Sequence, residues 1–136
     1  MKLTLLLGYQ LLTGLSDTAT GVLLIFAPAW TLHLMRLQPV GAATPFLSWI
    51  GAFVLSVGLA CLYGAMLTSD KAMPAKLSVV WLLTGITRAL VAVFVLSQIA
   101  TGSLESGWIS VALTDGTLAL LQFAGLATGW LARVER

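Results

Sequence analysis

Three charges set in apolar sequence are the residues here whose types and spacing invite a chemical reading. They are Asp17 in LLTGLSDTATGVLL, Arg88 in WLLTGITRALVAVFVLS and Asp115 in WISVALTDGTLALLQF. An arginine near the centre of hydrocarbon costs at least about 2.5 to 3.5 kcal/mol on insertion scales, so its guanidinium has to face protein, water or a counter-ion. Asp17 and Asp115 are the acids available to it. Gln10, Thr13, Thr84, Thr87, Thr114 and Gln122 fall within about one to two helical turns of the charges and could add hydrogen bonds. Two ionised carboxylates against one guanidinium leave a net negative charge that is costly in low dielectric. Either one acid is protonated, or an outside cation or partner residue completes the site. Two readings stay open: an ion-paired lock that fixes helix register, and a site whose spare carboxylate handles a proton, an ion or a polar headgroup.

The elements that must hold these residues follow from composition. The 136 residues are 59 % hydrophobic and 9 % charged, with a mean hydropathy of +1.00, where a soluble domain carries roughly 25 % charge. The reading is one integral membrane domain, all-α, a polytopic four-helix bundle with spans at about residues 3–27, 46–67, 77–100 and 108–131. Lys2 and the apolar run after it resemble a signal peptide, but apolar character continues to Ala27, so it reads as a retained first span. Pro28 closes that span. Residues 28–45 are too short and polar to cross and too apolar for a simple loop. A short interfacial helix is expected there, with Trp30, Leu34 and Leu37 dipping into lipid and His33 and Arg36 meeting water. Thr68 to Lys76 is expected as a polar loop, and residues 101–107 as a short flexible link.

Spacing then places the residues on faces. Gln10, Thr13, Asp17 and Thr20 recur at three and four along the first span. Gly14 and Gly21 lie beside them, where a small residue lets a neighbouring backbone approach. Gly51 and Gly58 share a face with Ser48, Leu55 and Leu62. Gly125 and Gly129 form a G-x-x-x-G close-approach motif in the fourth span. Counting from cytoplasmic ends at 1.5 Å per residue, Asp17 lies about 21 Å deep, Arg88 about 18 Å and Asp115 about 24 Å, so all three can meet in one layer.

With both termini cytoplasmic, Lys2, Lys71, Lys76, Arg133 and Arg136 lie inside and only Arg36 outside. That bias argues against a dual-topology antiparallel dimer. The formal charge of +2 comes from scattered residues with no basic run, which excludes phosphate tracking and makes nucleic acid no partner. Cys61 is the only cysteine, so neither an internal disulfide nor a thiolate cage is available. His33 is the only histidine, which rules out a bis-histidine haem within one copy, and it reads as a surface imidazole. No H-E-x-x-H, G-x-S-x-G, C-x-x-C or phosphate-binding glycine loop is present, so no catalytic residue, metal or cofactor is implied by motif.

A first span ending in LLIFAPAWTLHLMRL, then FLSWIGAFVLSVGLACLYGA, a polar turn and two more spans resemble small four-span bacterial membrane proteins of the DoxX-like kind. The resemblance implies a four-helix bundle in the bacterial inner membrane, of a kind whose founding examples are small subunits in quinone-linked sulfur oxidation. Three functional expectations follow. The favoured one is an accessory or interaction subunit packed against a larger membrane complex, without chemistry of its own. The second is a small oligomeric transporter or channel using the Asp17, Arg88 and Asp115 layer for ions or protons. The third is a quinone- or lipid-binding subunit of an oxidoreductase. Expected partners are the bilayer and other membrane subunits or further copies of the chain.

Overall fold

Prolines open three of the helices. In the computed structural model, which describes residues 3–38, 44–69 and 73–134, α1 (Leu3–Phe26) stops just before Pro28, and that proline stands in the first turn of α2 (Pro28–Leu34). Pro45 and Pro74 occupy the second positions of α3 (Thr44–Leu67) and α4 (Met73–Ala100). A proline fits there because a first-turn N–H has no intrahelical partner to lose and its fixed φ already suits the helix. This corrects the expectation of a loop over Thr68 to Lys76: the helix starts at Met73, one turn earlier than expected for the third span. Of the rest of that stretch, Asp70, Lys71 and Ala72 lie outside the described residues.

The fifth helix, α5 (Ile109–Ala127), follows a single 3₁₀ turn at Ser106–Trp108, and a second 3₁₀ turn at Trp130–Arg133 comes after it. Three helix ends use a left-handed residue: Arg36, Gly102 and Gly129, with φ of 59°, 73° and 68°. At Gly102 the reversal closes with Ser103 N–H donating to Gln98 O at 2.9 Å and Gly102 N–H to Ile99 O at 3.0 Å. That bond pair satisfies carbonyls the helix leaves open. Arg36 makes the same pattern through Leu37 N–H to Leu32 O, without the freedom of glycine. The link at 101–107 is thus an ordered cap and turn.

Every regular element among the described residues is helical. Three helices are long and apolar enough to cross a membrane: Pro45–Leu67, Met73–Ala100 and Ser106–Ala127. With 24 residues α1 has the length, but Gln10, Thr13, Asp17, Thr18 and Thr20 lower its apolarity and keep it out of that set. One expected end and one expected placement also change. The fourth crossing stops at Ala127, and Leu37, expected in lipid, is 4 % exposed and packed in protein. Trp30 and Leu34 are exposed, as are His33 and Arg36.

The chain divides into two compact units, one of Thr4–Met66 and the other of Met1–Leu3 with Leu67–Arg136. In the first, α1 and α3 run antiparallel along a seam of four glycines. A β-carbon on Gly21 would lie 2.5 Å from the Leu55 amide nitrogen, and one on Gly58 2.5 Å from that of Thr18. Gly14 faces Leu62, and Gly51 faces Leu24 and the Gly21 carbonyl. Each glycine therefore receives a larger residue from the other helix. Ser48 Oγ donates to Ile25 O at 3.2 Å at one end of the seam. In the second unit α4 and α5 pair antiparallel, burying Leu77, Trp81, Thr84, Gly85, Arg88 and Ala92 along one side of α4. That side repeats at three and four residues, the spacing of a helix pair with interlocking side chains.

Candidate functional site

Two rungs of polar residues cross the α4–α5 seam. Arg88, 3 % exposed, donates from Nη1 to Asp115 Oδ1 at 2.7 Å, and the Asp115 side chain is 20 % exposed. One turn along α4, Gln122 Nε2 donates to Thr84 Oγ1 at 2.8 Å, and that hydroxyl donates in turn to Val80 O at 2.7 Å. Gln122 is fully buried, and its Oε1 has no partner among the described residues.

Small residues let the helices close around these rungs. Gly85 lies against the Phe123 ring and the Gln122 amide, and a β-carbon on Gly116 would sit 3.6 Å from that of Ala92. Past Gln122 the Trp81 indole fills the space that Gly125 leaves, with Trp130 beside it. Neither Gly85 nor Gly116 was singled out from the sequence. Their signal was present: one directly follows Thr84, the other Asp115.

The pair sits deep along both helices. Asp115 is about 14 Å from the Ser106 end of its span and about 18 Å from the Ala127 end, at 1.5 Å per residue. Half the thickness of hydrocarbon is about 15 Å. Both charges fall near the middle of the apolar layer those helices would cross.

The other expected polar site residues lie on α1, α4 and α5. Gln10, fully buried on α1, donates from Nε2 to Cys61 O on α3 at 3.2 Å. Thr13 turns its hydroxyl back to Tyr9 O at 2.8 Å. Asp17 is half-buried on α1. Thr87 and Thr114, expected to help the charged layer, are exposed and return their hydroxyls to Leu83 O and Ser110 O. Gly129 is corrected from a packing residue to a cap: it lies beyond α5 in the left-handed region, with nothing within 4 Å of where a β-carbon would be. The G-x-x-x-G spacing predicted a continuous helix through Gly129, but α5 ends at Ala127 and Gly129 turns left-handed. Gly14, Gly21, Gly51, Gly58 and Gly125 do hold close packing.

A cleft of about 140 Å³ lies where α4 begins and α5 ends, lined by Pro74, Ser78, Gly125, Leu126 and Gly129 among others. It is remote from the charges, since Gly125 is about 15 Å along α5 from Asp115. Among the described residues no group of three or more His, Cys, Asp or Glu stands close enough to hold a metal ion. The chain matches no family model, no curated protein and no solved structure.

Proposed function

We propose that this is a small integral membrane accessory or interaction subunit of the DoxX-like four-span kind. It would sit in a bacterial inner membrane, both termini cytoplasmic, and pack against a larger membrane complex. The observation that carries the reading is that Arg88, 3 % exposed, meets an acid of its own helix pair, Asp115, at 2.7 Å. A buried ion pair of this kind is weak as a source of stability but fixes which faces meet. The outer faces supply what a partner needs: Leu90, Val93 and Phe94 on α4, and Trp49 and Phe53 on α3, are all well over a third exposed. In this reading α1 is the fourth crossing, and its polar face turns inward.

The test is isolation from native membranes in lipid discs, without detergent. A discrete set of membrane polypeptides should come with the chain, and deleting its gene should lower assembly of that same set. Purification as a lone species with proton or ion flux in liposomes, reduced by Asp115→Asn, would replace this reading with the transporter.

A further inference from the structure

Asp115 meets Arg88 through Oδ1; among the described residues Oδ2 has no hydrogen-bond partner. The same side chain is 20 % exposed, at about the midplane of the hydrocarbon that its helix is long enough to cross. Acyl chains offer no hydrogen-bond donor or acceptor, and lipid headgroups lie at the interfaces. Ionised or protonated, that oxygen has to exchange a hydrogen bond with something, because an unsatisfied polar group in hydrocarbon is strongly disfavoured.

We infer that Asp115 Oδ2 is a docking point for another chain's membrane-spanning helix that carries an N–H or O–H donor at mid-depth. The inference rests on the accessory-subunit reading and names the contact. Charge complementarity argues for this occupant. Arg88 Nη1 already holds Oδ1, so a donor from outside completes the carboxylate without adding a second buried acid. The neighbours on this side suit a helix. Val111 and Leu118, one turn before and after Asp115, are half-buried and apolar, whereas Leu120 on the opposite face is 72 % exposed.

The test places a benzoylphenylalanine photo-crosslinker singly at Val111, Leu118 and Leu120 of the full chain in its native membrane. Expected is an adduct from 111 or 118 to a second polypeptide, whose cross-linked peptide maps to an apolar segment containing a donor side chain. Its yield should fall about five- to tenfold in the Arg88→Leu/Asp115→Leu double variant, the worth of one interhelical hydrogen bond. Asp115→Asn, which keeps an acceptor oxygen, should retain it. The double variant's thermal unfolding, measured alongside, shows that the helix pair still forms. Adducts to lipid alone or to a second copy of this chain overturn the inference, as does a yield unchanged in the double variant. Crosslinkers at Phe53 and Leu90 separate the two levels: adducts to a foreign polypeptide only from these leave the accessory reading standing without the Asp115 contact, and none from any position removes both.

Discussion

Removing the carboxylate at 115 takes a 2.7 Å counter-ion from a guanidinium that is 3 % exposed. Truncating one member of a buried pair destabilises by about 3 to 5 kcal/mol, while replacing both with apolar residues of similar volume is often neutral. Asp115→Ala is therefore expected to lower unfolding stability in lipid or mild detergent by about that much, and Arg88→Leu/Asp115→Leu to recover most of it. A double variant as unstable as the single would show that the pair does more than neutralise itself. Gln122 behaves differently, because only one end of its amide is matched. Gln122→Met gives up one hydrogen bond and also removes an orphaned acceptor, so its cost should stay within about 1.5 kcal/mol by thermal unfolding. The charges of this rung were legible in the sequence, since an arginine in an apolar run has to find an acid. That Thr87 and Thr114 turn outward was not, because a threonine can return its hydroxyl to its own helix with no outside partner.

At the scale of helices, the seam between α1 and α3 is made of backbone. Gly21→Ala and Gly58→Ala each put a methyl group about 2.5 Å from a main-chain nitrogen on the other helix, so the helices have to separate. Overpacking of that kind costs about 1 to 3 kcal/mol. Gly8→Ala on the same α1 has nothing within 4 Å and should stabilise by about 0.5 to 1 kcal/mol through helix propensity alone. Chemical denaturation of the three variants side by side checks the contrast, and equal losses at 8, 21 and 58 would rule the seam out. Helix ends give a second contrast. Arg36 holds φ at 59°, a conformation that disfavours side chains by roughly 1 to 2 kcal/mol. Arg36→Gly should raise the melting temperature, and Gly129→Ala should lower it. The seven-residue spacing of Gly14 with Gly21 and of Gly51 with Gly58 showed in advance which faces would close. The end of α5 did not show, because apolar sequence runs on past Ala127 and only the left-handed turn at Gly129 stops it.

For the whole chain, hydropathy identified a helical membrane protein, and three of the four expected crossings have the length and apolarity required. The polar stripe that made α1 worth reading as part of a site is also what lowers its apolarity. Orientation can be measured directly. Cys61 is fully buried and gives little background to a membrane-impermeant thiol reagent. In the proposed orientation Ser69→Cys is labelled from the cytoplasmic side and Ser103→Cys from the opposite side. Labelling of both from one side would mean that α4 does not cross. The glycine seam also bears on biogenesis. In the four-span reading, a translocon handing segments to lipid one by one would release α1 inefficiently, and α1 would wait for α3 and enter with it as a hairpin pair. In a cell-free insertion assay α1 should integrate poorly alone, well when α3 follows, and poorly again when Gly58 is replaced by leucine.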